Sequence, residues 1–362
     1  MKLLQFSDLH LSASNDPDYG LNVLREIVAQ AISYECKAML LCGDIFDTYK
    51  DLDLLRAKVV QILGEFNGSV YFLPGNHESL RKPNGASRFN IFDWGNQIQF
   101  LEDLPYTIVP IDPTVELLAI PHRNSYADLI TSLPPKKNAA IRIGLAHATI
   151  IGMSFTGIED DETDEKGGLI DVSQLQALEC DYVAVGHIHS RRAQLFGNME
   201  VAYAGSSRVW RKGEFGDRCC YLLEISDGKL TRTDITLRSA GCYREVIVQL
   251  GLDGKPEKTP EEYLANFSEN DWVRIQYHGV VESMEGKKEF QAVLESDWKS
   301  KFRILDFDEL ESEIKVVANL TENSFIKKFI QVMDDKKSSM NFEDWLKTKE
   351  LGLMLLIDEV SK

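Results

Sequence analysis

The stretch Gly75-Asn76-His77-Glu78 constrains this chain more than any other. It follows an apolar run, Val70-Tyr71-Phe72-Leu73, and Pro74, so a strand ends by delivering three polar side chains at a sheet edge. Asn offers a neutral oxygen ligand, His a ligand or proton donor, and Glu a carboxylate able to orient the His. Four other segments repeat the arrangement after an apolar run. They are Asp8 and His10, Gly43-Asp44-Ile45-Phe46-Asp47, His147, and Gly186-His187-Ile188-His189. Asp8 and His10 are two apart, so in an extended chain they point the same way.

Apolar residues at helical spacing separate the first three of these runs. Leu21, Leu24, Ile27, Val28, Ala31 and Ile32 share one face, and Leu52, Leu55, Val59, Ile62 and Leu63 another. The opening therefore reads βαβαβ, with polar residues at the strand ends where open α/β sheets bind ligands. Residues 85–103 are irregular, with a short helix expected around 89–94. Strands are expected at 115–121, 141–146 and 182–185, and strands of more antiparallel character at 201–203, 220–225 and 230–237. The acidic run 159–165 reads as a solvated loop, with a gating role left open.

Around 239–243 the composition shifts and the polar motifs stop. Strands at 244–250, 272–277 and 302–305 with helices at 260–267 and 289–298 make a small α+β unit. Two helices rich in apolar positions, 322–333 and 342–360, follow it. The expected division is 1–238, 239–318 and 319–362. A length of 362 residues agrees with more than one core.

Hydrophobic and charged contents of 44% and 27% are those of a soluble globular protein. A formal charge of -17 excludes nucleic-acid binding by bulk charge and leaves a local basic rim as the way to meet phosphates. Six cysteines without C-x-x-C spacing read as buried, reduced thiols. No apolar run approaches membrane-spanning length, and the start turns polar too early for a signal peptide, so a cytoplasmic protein without membrane contact is expected.

Five of the seven histidines sit at the ends of apolar runs, with Asp8, Asp44, Asp47 and Asn76 as companions. Mixed imidazole, carboxylate and amide donors suit Mn²⁺, Fe²⁺ or Zn²⁺ better than Ca²⁺ or Mg²⁺ alone. Nine candidate side chains exceed the needs of one ion and suit two, and a carboxylate with two oxygens can reach both. Asp44, in the middle of the set, is the expected bridge.

The order D-x-H, G-D-x-x-D, G-N-H-E, H and G-H-x-H over residues 8–189 resembles the calcineurin-like metallophosphoesterase superfamily. The resemblance implies a four-layer sandwich of two mixed sheets flanked by helices, holding two divalent metal ions. It places Asp8, His10 and His189 on one ion, Asn76, His147 and His187 on the other, and Asp44 between them. Asp47 is then a supporting or helix-capping residue. His77 contacts the phosphate and protonates the leaving oxygen, and a hydroxide activated by the two metals attacks phosphorus.

Within the superfamily, Ser7-Asp8-Leu9-His10-Leu11 is similar to the opening of SbcD-type DNA double-strand-break repair exonucleases. Tyr203-Ala204-Gly205-Ser206-Ser207-Arg208, followed by Glu214, looks like that family's Y-P-G-S-x-x-R region. The implied activity is Mn²⁺-dependent DNA exonuclease action in DNA repair, with the α+β unit as a DNA-capping domain. The implied partners are DNA, an SbcC-type coiled-coil ATPase docked on the tail helices, and a second copy of the chain.

Glu78, Ala148 and Ala204 depart from that family's usual Asp, Gly and Pro, which leaves the substrate open. Arg81, Arg191, Arg192 and Arg208 are the candidate substrate contacts, and Trp210 reads as core. The alternatives are a metallophosphatase acting on phosphoproteins or small phosphoesters, and a DNA- and ATPase-tethering subunit with weak nuclease activity.

Overall fold

This computed structural model describes residues 1–78, 93–123, 125–132, 134, 139–153, 168–317 and 323–360. Arg81, the acidic run 159–165 and most of the helix expected around 89–94 lie outside the described residues. The chain divides into two compact units, Met1–Gly241 and Cys242–Lys362.

The first unit opens with β1 (Lys2–Phe6), α1 (Pro17–Ser33), β2 (Ala38–Leu41), α2 (Tyr49–Leu63), β3 (Ser69–Phe72) and β4 (Ile98–Phe100). It continues with β5 (Thr107–Asp112), β6 (Val115–Ile120), α3 (Asp128–Thr131), β7 (Ile141–His147), β8 (Thr149–Ile151) and β9 (Leu169–Asp171). α4 (Val172–Ala177), β10 (Tyr182–Gly186), β11 (Arg192–Phe196), β12 (Met199–Tyr203), β13 (Cys219–Ser226) and β14 (Lys229–Thr236) complete it.

These strands form two six-stranded sheets, in the orders β14-β13-β1-β2-β3-β4 and β11-β12-β10-β7-β6-β5. β1 to β4 run parallel to one another, as do β12, β10, β7 and β6, while β13, β14, β11 and β5 pair antiparallel with their neighbours. β8 and β9 pair separately.

Three apolar layers hold the first unit together. Leu4, Phe6, Met39, Leu41, Val70 and Phe72 face the inner sides of α1 and α2. The alternate residues of the same strands, Leu3, Ala38, Leu40 and Tyr71, meet Leu117, Ala119, Leu145 and Ala184 of the second sheet. That sheet's other face packs on Leu129, Leu175 and Leu178 around α3 and α4. β2, β6, β7 and β10 are buried along their whole length, as expected for strands covered on both faces. The arrangement is the expected four-layer α/β sandwich of two mixed sheets flanked by helices.

Buried polar contacts bridge the two sheets across the central layer. Tyr182 donates to Gln5 Oε1 at 2.6 Å, and Gln5 Nε2 donates to the Ala202 carbonyl at 3.0 Å, so neither buried amide end is left unpaired. All six cysteines are buried as reduced thiols.

The second unit has a parallel sheet in which β16 (Trp272–Val281) pairs with β15 (Tyr243–Leu250) on one side. It also pairs with β17 (Ile304–Phe307) and β18 (Glu313–Val316). α5 (Pro260–Leu264) and α6 (Glu285–Val293) lie between the strands in sequence. The last two helices, α7 (Ser324–Lys336) and α8 (Phe342–Val360), pack on this unit through Ile326, Leu353 and Ile357 against Leu252, Val280 and Val317. Among the described residues no helix is long and apolar enough to cross a membrane.

Candidate metal centre

β1, β2 and β3 of one sheet and β7 and β10 of the other end at the same edge, and the polar motifs follow these ends. The backbone turns that deliver them are not extended. Asp8 (φ 50°), His10 (φ 44°), Asp44 (φ 52°) and His187 (φ 98°) all lie in the left-handed region. The expectation that Asp8 and His10 point alike because the chain is extended is therefore corrected. Each such residue carries local strain, held in place by its surroundings.

The surroundings are interlocked loops. Asp8 N donates to Gly43 O at 3.0 Å, His10 N to Asp44 O at 2.9 Å and Asp47 N to Leu11 O at 3.0 Å. Gly75 has no room for a side chain, since a Cβ there would lie 2.1 Å from Asp44 Oδ1.

Among the described residues, three groups of ligand atoms, each within 4.8 Å internally, meet here: Asp8–His10–His189, His10–Asp44–His77 and Asp44–His147–His187. Asp44 belongs to two of them. Asn76 joins the third, with Oδ1 2.9 Å from His147 Nε2 and 3.2 Å from His187 Nδ1. The structure thus brings together Asp8, His10, Asp44, Asn76, His77, His147, His187 and His189.

The hydrogen bonds fix which imidazole nitrogens face inward. His147 Nδ1 donates to the Cys42 carbonyl at 2.7 Å, so Nε2 turns toward Asn76 Oδ1 and Asp44 Oδ2, the latter at 3.3 Å. His189 Nδ1 donates to Glu214 Oε1 at 2.6 Å, which leaves its Nε2 3.0 Å from His10 Nε2. His187 Nε2 is buried without a hydrogen-bond partner among the described residues. His77 Nδ1 donates to the Asp47 carbonyl at 2.5 Å, and its partly exposed ring leaves Nε2 as the nitrogen able to meet a ligand.

Electrostatics show what the cluster lacks. Burial, and secondarily Asp44, pushes the Asp8 carboxyl up to about 6. Burial acts on Asp44 the same way, but the surrounding histidines, His147 first, hold it well below the usual carboxylate range. Burial would lower His147, yet Asp44 beside it raises the imidazole to about 9. Burial holds His10 at about 4 and His187 at about 3. Two buried carboxylates, an amide oxygen and inward lone pairs form an acceptor-rich set with too little positive charge. Such a set fits divalent cations.

Two carboxylates outside the expected ligand set support it. Glu78 was expected to orient a histidine. Instead, it accepts four backbone N–H bonds, from Asp44 at 3.1 Å, Ile45 at 2.5 Å, Phe46 at 2.9 Å and Gly75 at 3.0 Å. Burial and then the Asp44 charge push its carboxyl up to about 8, against the pull of the Gly75 and Phe46 N–H groups.

Glu214 also accepts from Trp210 N at 2.6 Å. Burial would raise its carboxyl, but His189 draws it down to about 2. Its position 25 residues from His189 gave no spacing signal. Glu214→Gln should weaken metal affinity by roughly 10–100-fold, the usual effect of losing a carboxylate that orients a ligating histidine. Metal titration of the purified variant checks this, and an unchanged affinity would remove Glu214 from the site.

The remaining expectations divide. Asp47 does not cap α2; Thr48 does, accepting from Asp51 N at 3.2 Å. Asp47 Oδ1 lies 3.5 Å from His10 Nδ1 and 3.7 Å from His77 Nδ1. Arg208, expected to touch substrate, is 2% exposed and donates to the carbonyl oxygens of Leu9, at 2.6 Å, and His10. It is a brace for the loop after β1. Trp210, read as core, is half-buried and stacks on His10, with centroids 5.6 Å apart, and beneath Arg208.

His122 donates from Nδ1 to the His147 carbonyl at 3.2 Å and lies edge-on to that ring. Arg191 is half-exposed and pairs with Asp234 at 3.1 Å, and Arg192 starts the edge strand β11.

Residues 1–191 match the family model described as calcineurin-like phosphoesterase. The uncharacterized metallophosphoesterase YhaO of Bacillus subtilis is 23% identical over 269 residues, 64% of this chain. That match spans 59% of the relative's own length.

Similar solved structures include a dimetal phosphatase from Danio rerio, 10% identical, covering 66% of this chain and 98% of that one with a TM-score of 0.42. A putative 5′-nucleotidase from Staphylococcus aureus is 15% identical, covering 65% and 54% with a TM-score of 0.40. A novel archaeal phosphodiesterase is 12% identical, covering 65% and 100% with a TM-score of 0.37. The family match takes in more than half of the sequence and all five polar motifs, and the chain belongs to the calcineurin-like phosphoesterase family.

Proposed function

We propose that this chain is a metal-dependent phosphodiesterase whose substrate is a DNA strand, cleaved as an exonuclease in DNA repair. The observation that carries the DNA reading is the place of the segment 203–214. That segment bears the resemblance to SbcD-type exonucleases, and it is built into the metal centre. Ser207 binds Ser7 O through N at 3.2 Å and Oγ at 2.7 Å, Arg208 braces Leu9 and His10, and Glu214 holds His189.

Asp8, His10 and His189 would hold one ion and Asn76, His147 and His187 the other, with Asp44 shared. Mn²⁺ is the ion we propose, and the donor set also suits Fe²⁺ and Zn²⁺. Two divalent ions supply positive charge to the phosphoryl oxygens and lower the pKa of water. Cys42 O and Glu214 keep the Nε2 lone pairs of His147 and His189 directed inward. His77, anchored through Nδ1, presents Nε2 to the phosphate and passes a proton from that atom to the leaving oxygen. His77→Ala should then lower turnover by about 10²–10⁴-fold with metal content unchanged, as for loss of a general acid. Joint loss of both metals on that change would sink the role.

Phe325, Leu351 and Leu355 are exposed on the last two helices, which supports docking of an SbcC-type coiled coil there.

The test is a paired assay of the purified chain with Mn²⁺. One arm offers end-labelled linear duplex DNA, the other a chromogenic phosphate bis-ester beside its monoester. Mononucleotide release with bis-ester cleavage supports the proposal. Monoester turnover with intact DNA would move the chain to the phosphatase side of the family.

A further inference from the structure

Beside the metal centre, and sharing His189 and Glu214 with it, the first unit contains a cavity of about 210 Å³. It is lined by Arg191, Arg211, Lys212 and Arg218 together with His189 and the loop 213–217. Four cationic side chains around one cavity stand out on a chain of net charge -17. Their surroundings separate them by task. Arg218 is buried and donates to the carbonyls of Phe215, at 2.5 Å, and Gly216, so it shapes the loop. Arg191 pairs with Asp234 at 3.1 Å. Arg211 has no hydrogen-bond or ion-pair partner among the described residues, and Lys212 beside it is exposed. Of the acids in the lining, Glu214 is turned to His189, while Asp217 is exposed. Phe215, 58% exposed, forms part of the wall.

We propose that this cavity is a second phosphate subsite, taking the phosphate next along a nucleotide substrate from the one attacked. Arg211 and Lys212 are its anion donors and Phe215 is a platform for the attached base. The inference rests on the phosphodiesterase reading of the metal centre and adds a substrate class to it. His189 links the two, because its Nε2 belongs to the ligand cluster and the same residue lines the cavity. A guanidinium and an ammonium are the pair suited to a phosphate, the first through paired N–H bonds and the second as a point charge. A base on an exposed aromatic ring adds sequence-tolerant stacking. A substrate with one isolated phosphate would leave the cavity unused.

The experiment compares binding of thymidine dinucleotides without a terminal phosphate, with a 5′ phosphate and with a 3′ phosphate. The full chain is stripped of metal by a chelator so that nothing is turned over. One of the phosphorylated forms should bind about tenfold tighter than the bare dinucleotide, the order of one charge-assisted contact. Arg211→Gln combined with Lys212→Gln, both on a surface loop, should erase the difference. Equal binding of all three, or a difference that survives the double substitution, overturns the subsite. If the subsite holds while the Mn²⁺-loaded chain leaves DNA intact, the inference stands and the exonuclease reading falls.

Discussion

Replacing Asp44 by alanine is expected to reduce phosphoesterase turnover by about 10³-fold or more, since it removes the carboxylate shared between both proposed ions. The geometry singles it out. Asp44 Oδ2 lies 3.3 Å from His147 Nε2 and 4.0 Å from His10 Nε2, and Oδ1 accepts from His77 N at 3.0 Å. The metal-free chain feels the loss as well. Asp44 raises the cost of ionising Asp8, but against burial the histidines around it, His147 first, hold its own carboxyl well below the usual range. At neutral pH the ionised Asp44 therefore stabilises the fold. Metal-free Asp44→Ala should melt below metal-free wild type, and the metal-dependent rise is what separates loss of the bridge from this basal loss.

Metal should reveal the difference. A ligand present at a hundredfold excess over its Kd stabilises the native state by about 2.7 kcal/mol. For a domain of this size that raises the melting temperature by roughly 5–10 °C. Wild type should show such a rise with Mn²⁺ and the variant a much smaller one. Calorimetric melting with and without Mn²⁺, beside turnover of the bis-ester, reads both effects. A variant that keeps its activity and its metal-dependent rise would remove Asp44 from the bridge.

The parts of the site legible in the sequence are those carried by central parallel strands. β1, β2, β3, β7 and β10 are short apolar runs, each ending in a polar motif, and the sheet orders bring those ends together. Edge strands were harder to read. β5 carries Pro110 in its interior and a register shift beside it, which an edge tolerates and a central strand does not. β11, Arg192–Phe196, has no run of buried residues to betray it. β18 pairs over only the last four residues of β16 and alternates exposed with half-buried positions.

Side-chain roles failed for a different reason. Spacing along a strand presumes an extended backbone, and Asp8, His10 and Asp44 leave it by adopting positive φ. Arg208 looked like a surface cation because its partners, the Leu9 and His10 carbonyls, lie almost two hundred residues earlier. Glu78 is next to His77 in sequence, which suggests that the two are partners. Its carboxylate turns instead to the backbone of the neighbouring loop.

That last displacement carries the other large expected effect. Glu78 is 1% exposed and is the acceptor for four N–H groups, three of them on consecutive residues after β2. The loop that presents Asp44 in the left-handed region thus has its N–H groups satisfied by a side chain from the loop after β3. Glu78→Ala leaves these donors buried without their acceptor. At roughly 1 kcal/mol for each orphaned N–H, the loss is about 4 kcal/mol, a large part of a typical domain's stability. The melting temperature should fall by about 10 °C or more.

Glu78→Gln keeps one acceptor oxygen but turns an N–H₂ group toward the remaining donors, so it should also destabilise, by less than alanine. The fall should already appear in metal-free protein, because the bonds lost are between protein groups. Metal affinity should fall as well, since Asp44 loses the loop that positions it. Thermal melting of the three metal-free proteins, followed by Mn²⁺ titration, orders them as wild type, glutamine, alanine. Coincident melting curves for all three would mean that the two loops hold together without this carboxylate, and that the conformation of Asp44 is fixed by the neighbouring strands alone.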